Sequence, residues 1–124
     1  MASARIDPLV RMTVTDGVAR LTLDRPERHN SLDPALLDDL LTRLDTVRDD
    51  DTIRAVVLAA NGRSFSTGGD VRAFHDQADG SLRDYAAALV GRLNRTILAL
   101  MDLRQPVIAR VQGPVTGGAL GLVL

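Results

Sequence analysis

The sequence contains no cysteine, no lysine and no tryptophan. Without cysteine there are no disulfides, no thiolate nucleophile and no cysteine-ligated metal site. Its fifteen basic residues are all arginine, and sixteen acidic residues leave a formal charge of −1. Recognition of a nucleic-acid backbone needs clustered cations, so that function has no electrostatic footing here. Aromatic residues make up 2% of the chain, which leaves few rings to stack on bases or sugars. No run approaches the roughly 18 apolar residues that a membrane span requires. The N-terminal stretch MASARIDPLVRM also lacks the apolar centre of a signal peptide. The expectation is a soluble, cytoplasmic-type protein with neither nucleic acid nor membrane as a partner, and with no metal.

The 124 residues fit one domain or part of one, and 45% of them are apolar, enough for a core built mostly of Leu, Val and Ala. Leu9 to Val14 and Val18 to Leu23 are β-prone runs separated by Thr15-Asp16-Gly17, and Asp-Gly between such runs is a strong hairpin signal. Asp33-Pro34 opens a helix, because Asp can cap free N–H groups and Pro fits the first helical position. Leu36, Leu37, Leu40, Leu41, Leu44 and Val47 follow at helical spacing, and Asp49-Asp50-Asp51 opposes the helix dipole and ends it. Arg54 to Ala60 reads as a buried strand. A helical or loose stretch runs to Gly80, and Ser81 begins a helix with Leu89, Leu93, Ile97 and Leu100 on one stripe. Val107 to Val111 gives another buried strand, and a short helix starts at Gly117. Strands alternating with helices imply an α/β fold with a mostly parallel sheet, where ligands bind at the carboxyl ends of strands. The last helix stops at Leu124 uncapped. Eight such residues are not stable alone. The protein is therefore expected to continue, with residues 1–124 forming its N-terminal part.

The tripeptide Thr-Gly-Gly occurs twice, at 67–69 in FSTGGD and at 116–118 in PVTGGA, each time after a strand. A strand turning through Gly-Gly leaves N–H groups free and admits a ligand with no Cβ in the way. One such turn serves tight turning, anion binding or close packing equally well. Two at the ends of adjacent parallel strands could aim a pair of N–H groups at one oxygen, as an oxyanion hole requires. Neither stretch is a dinucleotide fingerprint, since GxGxxG is absent, and no Gly-Lys-Ser/Thr of a phosphate-binding loop exists.

LDRPERHNSL, the Leu-rich helix, GRSFSTGGDV and PVIARVQGPVTGGALGL, in this order, resemble the crotonase superfamily, the enoyl-CoA hydratase/isomerase group. The likeness runs from about residue 9 to 124 and corresponds to about the first half of a typical member. It implies a crotonase-like ββα spiral core and an acyl-CoA substrate, with coenzyme A arriving as part of that substrate and no other cofactor. It also implies a homo-oligomer, a trimer or a pair of trimers. On this resemblance the backbone N–H groups of Gly69 and Gly118 hold the thioester carbonyl and stabilise its enolate. Arg28 faces the CoA phosphates, Ser31 lines the pantetheine, and Ser66, Thr67 and Gly68 help wall the adenine pocket. Asp70 caps the following helix, and His29 is a solvated loop residue.

The pattern breaks at Gly121, where family hydratases carry a glutamate. Hydration uses two carboxylates, whereas shifting a double bond needs only one base. The resulting order is a hydratase or isomerase type first and an acyl-CoA thioester hydrolase second. From a different class comes a non-catalytic module that keeps the fold for binding or assembly. A serine peptidase of related fold is disfavoured, because neither Ser66 with His75 nor Ser31 with His29 has suitable spacing.

Overall fold

A computed structural model describes residues 8–69, 75 and 81–124. Asp70 and the stretch on to Gly80, apart from His75, lie outside the described residues, and so does the cap expected at Asp70.

The chain opens with a hairpin of β1 (Val10–Thr15) and β2 (Val18–Leu23), closed by the pair Thr15 and Val18. Asp16 (φ 52°) and Gly17 (φ 79°) both take left-handed backbone, which is what a two-residue turn needs to match strand twist. β2 then pairs in parallel with β3 (Ala55–Ala60), and β3 in parallel with β4 (Val107–Ala109). The sheet order is β1-β2-β3-β4, mostly parallel as the alternating pattern required.

Helix α1 (Pro34–Arg48) begins where the sequence says it should. The Asp33 carboxylate accepts the Leu36 N–H at 2.9 Å, and Pro34 occupies the first position. Leu36, Leu37, Leu40, Leu44 and Val47 are buried, while Asp38, Asp45 and Arg48 face outward. Each of those buried side chains contributes about 1.5–3 kcal/mol through lost water contact. With Leu21, Leu23, Leu58 and the fully enclosed Phe65 they form the main core.

Helix α2 (Leu82–Asp102) is packed far more thinly. Only Leu89 and Thr96 are buried along its 21 residues. Leu93, Ile97 and Leu100 are half-buried against the core, and Leu98 and Met101 are exposed. Among the described residues no helix is long and apolar enough to cross a membrane.

Two expectations shift in the C-terminal stretch. β4 ends at Ala109 rather than Val111, although the Arg110 N–H still reaches Leu58 O at 2.8 Å. Further on, Gly113 passes under the Arg63 carbonyl, where an added Cβ would stand only 1.9 Å from that oxygen. Gln112 secures the crossing by donating to Gly62 O at 2.9 Å and Ser64 O at 3.2 Å. The helix expected from Gly117 is a 3-10 turn over Gly117–Ala119, followed by the four-residue α3 (Leu120–Val123). Ala119 and Leu122 anchor it in the core.

Candidate functional site

Three loops meet beyond the carboxyl ends of β2, β3 and β4. The first leaves β2 through a 3-10 turn, Pro26–Arg28, and then His29 and Asn30 both adopt positive φ, 54° and 52°. Asn and His tolerate that left-handed region better than most side chains. The second is Ser64 to Gly69, after β3. The third is Pro114 to Ala119, after β4.

Backbone hydrogen bonds sew the three loops side by side as short parallel segments. Thr67 N–H donates to His29 O at 3.2 Å, and Leu32 N–H donates to Gly68 O at 2.7 Å. On the other side Phe65 N–H reaches Pro114 O at 3.0 Å, and Thr116 N–H reaches Ser66 O at 3.1 Å. The outcome is a bridge between Leu32 and Gly69 and another between Ser66 and Val115. The middle loop is therefore held on both edges.

This sewing brings the two Thr-Gly-Gly turns against each other. A Cβ placed on Gly68 would lie 2.8 Å from Thr116 O, 3.3 Å from the Gly117 Cα and 3.3 Å from the Gly118 nitrogen. Gly68 has φ 79° and Gly117 has φ 58°, so each turn needs one glycine for its backbone as well as for space. Gly69 is half-buried beside them. Among the described residues, neither the Gly69 N–H nor the Gly118 N–H donates a hydrogen bond. For Gly118 this follows from its place in the first turn of a helix, where N–H groups have no preceding carbonyl to reach.

The other expected site residues are distributed around this junction. Arg28 is exposed at the end of the first 3-10 turn, and Thr67 is exposed on the middle loop. Ser31 is 5% exposed, and its hydroxyl is a buried group with no hydrogen-bond partner among the described residues. Burying a hydroxyl unpaired costs about 1–3 kcal/mol, so Ser31 carries an unmet demand next to the Leu32–Gly69 bridge. Ser66 is fully buried: its hydroxyl donates to Asn30 O at 2.7 Å and accepts from Gly68 N–H at 3.3 Å. That side chain faces the interior. His29 is exposed, with Nδ1 3.4 Å from the Ser64 hydroxyl, and His75 is exposed too.

Sequence reasoning overlooked the residue that ties the junction together. Asn30 is fully buried, and its Oδ1 accepts the Arg25 N–H at 2.7 Å. Its Nδ2 donates to Asn61 O at 2.8 Å and to Ser64 O at 3.1 Å. One side chain thus fixes the first loop to the end of β3. The available signal was weak: an asparagine in a polar loop, of the residue type most tolerant of positive φ. Just below, the Asp24 carboxyl is held under the usual carboxylate range, first by the Asn61 amide and then by Arg11, with burial opposing. The Asn61 Nδ2 contact is 2.9 Å, and Arg11 forms an ion pair with the same carboxylate. Arg25 and Asp33 form a second, half-buried ion pair across the base of the first loop.

Position 121 offers no acid or base. A Cβ on Gly121 would stand 2.6 Å from Ile97 Cδ1, so a hydrocarbon side chain from α2 already fills that space. What the junction presents is backbone: two unused N–H groups beside a glycine-only contact, with a buried hydroxyl and an exposed guanidinium on the flanking loop. Donors of that kind hold an anion, or a carbonyl oxygen on its way to becoming one.

Comparison with known proteins bears on what such a junction serves. The family model described as Enoyl-CoA hydratase/isomerase matches residues 13–124. A trans-2-decenoyl-[acyl-carrier-protein] isomerase of Streptococcus mutans is 32% identical over 111 residues, covering 90% of this chain and 42% of that protein. A protein named Probable enoyl-CoA hydratase from Mycobacterium tuberculosis is 40% identical over 110 residues, covering 86% of this chain and 39% of its own. The crystal structure of an enoyl-CoA hydratase from Shewanella pealeana superposes with a TM-score of 0.83 at 32% identity, covering 92% of this chain and 43% of that one. The chain thus spans about 40% of the length of the curated relatives it matches. Sequence pattern and backbone agree over almost the whole of it, and the chain belongs to the enoyl-CoA hydratase/isomerase family, within the crotonase superfamily.

Proposed function

We propose that the chain binds an acyl-CoA thioester and that the N–H groups of Gly69 and Gly118 polarise its carbonyl. The observation that carries this reading is the contact between the two Thr-Gly-Gly turns, with Gly68 pressed against Thr116 and Gly118 and both N–H groups unused. In the ground state a thioester oxygen is a modest acceptor. As a proton leaves the α-carbon, or a nucleophile adds at the β-carbon, negative charge builds on that oxygen. Fixed N–H dipoles then bind it more tightly than before, which lowers the barrier rather than merely tightening binding. Loss of one such donor typically costs about 3 to 4 kcal/mol of activation.

The first loop supplies the rest of the ligand site. Arg28, with its permanently charged guanidinium, suits the phosphates of CoA. Ser31, whose buried hydroxyl has no partner among the described residues, lines the pantetheine in this reading, and Thr67 with Gly68 flanks the adenine end. Ser66 belongs to the same wall, with its hydroxyl holding the loop to Asn30.

With Ile97 filling the space at Gly121, the α-carbon base comes from outside that position. A single base suits double-bond isomerisation; a hydratase-like reaction needs a second carboxylate from elsewhere in the protein, and thioester hydrolysis is the alternative. In the whole protein the same reading implies a cytoplasmic homo-oligomer of fatty-acyl metabolism. Infrared difference spectroscopy with butyryl-CoA labelled at the carbonyl carbon tests the proposal. Polarisation by two donors moves the bound carbonyl stretch to lower frequency. Binding with an unmoved stretch, or no binding, refutes it.

A further inference from the structure

The second Gly-Gly turn cannot hold its own shape. It is a three-residue 3-10 turn whose bond from Ala119 N–H to Thr116 O is 3.3 Å long, followed by a helix of only four residues. Segments that short gain too little from their own hydrogen bonds to stay ordered, so neighbours must fix them. On one side that neighbour is Gly68 of the middle loop, whose Cβ position is 3.3 Å from the Gly118 nitrogen. On the other side it is α2. A Cβ on Gly118 would stand 2.8 Å from Leu93 Cδ2, and one on Gly121 would stand 2.6 Å from Ile97 Cδ1. Leu93 and Ile97 are four residues apart and share one face of α2. They therefore press on the turn and on α3 as a pair, each seated on a glycine that has no side chain to push back.

From this sandwich we infer that Leu93, supported by Ile97, is a positioning residue: it holds the Gly118 peptide against Gly68 and so fixes the direction of the Gly118 N–H. The inference rests on the proposed role of that N–H as a carbonyl donor, and it extends the role to a helix outside the glycine loops. It also gives α2 a purpose that its thin packing leaves open. Only Leu89 and Thr96 are buried along this helix, yet its half-buried Leu93 and Ile97 bear on the backbone of the candidate site. At both positions the absence of a Cβ leaves the room that this helix face occupies. Hydrogen-bond strength falls steeply as a donor swings off line, so a small rotation of this peptide matters more than an equal shift of a core side chain.

The test uses this chain, carbonyl-labelled butyryl-CoA as the probe, and two readouts: affinity by calorimetry and the infrared shift of the bound carbonyl. Leu93→Ala leaves affinity within about threefold, since most contacts to CoA lie on other loops, but loses about half of the carbonyl shift, the share that the Gly118 donor supplies. Leu93→Met, which conserves volume, restores the shift. Leu93→Val gives an intermediate loss and covers the case in which the alanine variant fails to fold. Leu89→Ala, a buried position on the same helix away from the turn, lowers thermal stability and keeps the full shift. A Leu93→Ala protein that binds and retains the parent shift overturns the inference, as does an equal loss in Leu89→Ala. A parent protein that binds with no shift at all overturns the carbonyl reading and this inference together.

Discussion

Replacing Asn30 is the sharpest perturbation available outside the glycine turns. Three side-chain hydrogen bonds disappear in Asn30→Ala: those from Arg25 N–H, to Asn61 O and to Ser64 O. Ser64 O keeps the Gln112 amide at 3.2 Å, and Asn61 is exposed enough for water to replace part of its loss. The Arg25 N–H loses its acceptor. At about 1 kcal/mol net per bond the loss is about 3 kcal/mol. The φ of 52° adds a further cost of about 1 kcal/mol for an ordinary side chain in left-handed backbone. The sum, about 4 kcal/mol, is a large share of the 5–15 kcal/mol that holds a typical domain together. Asn30→Gly suffers the same bond losses without the backbone strain and is expected to be about 1 kcal/mol less damaging than alanine. Asn30→Asp keeps size and φ tolerance but turns an acceptor toward two carbonyls, so it should be at least as harmful as alanine. Urea unfolding at constant m-value measures all three. An alanine variant within about 0.5 kcal/mol of the parent refutes the reasoning. So does a glycine variant less stable than alanine, since the strain argument fixes their order.

Other predictions are more local. Gly113→Ala places a Cβ 1.9 Å from the Arg63 backbone carbonyl, which cannot step aside, so the variant is expected to lose more than about 3 kcal/mol or not fold, as circular dichroism will show. Gly91→Ala is its opposite: nothing lies within 4 Å of the new methyl in the middle of α2, and thermal melting should show a gain of about 0.5–1 kcal/mol. The Asp24 carboxyl is depressed chiefly by Asn61, so its stabilisation is complete above the ordinary carboxylate value near 3.8 and fades as pH falls through the lowered one. Asn61→Ala should therefore lower Tm at neutral pH, with the gap to the parent narrowing on acidification; a widening gap contradicts the assignment. Leu98 and Met101 are 57% and 74% exposed three residues apart on α2, an apolar surface that promotes association. Leu98→Glu with Met101→Arg should reduce light scattering in concentrated solution without lowering Tm.

Much of this architecture is legible in the chain because its signals are local. Asp16-Gly17 needs only its own backbone preference to turn, and Asp33-Pro34 caps α1 within three residues. The parallel order followed from strands alternating with helices, and the two Thr-Gly-Gly stretches from their places after strands. What sequence reading missed depends on contacts made far along the chain. Asn30 matters because of carbonyls 31 and 34 residues away. β4 pairs with β3 only over Val107 to Ala109, and no pattern within residues 107–111 reveals where that pairing ends. Ser66 sits next to the exposed Thr67 in sequence, yet its hydroxyl turns inward to Asn30 O, a partner 36 residues earlier. The restraint on Gly118 comes from Leu93 on a helix whose apolar stripe reads as ordinary core packing.

The account stands on two backbone amides sharing one oxygen. A titration of the 15N-labelled protein with butyryl-CoA, followed by amide nuclear magnetic resonance, addresses this residue by residue. The amide protons of Gly69 and Gly118 should both move downfield and saturate together with the ligand, by more than any other glycine. Movement of only one of them, or of neither while CoA binds, contradicts the claim.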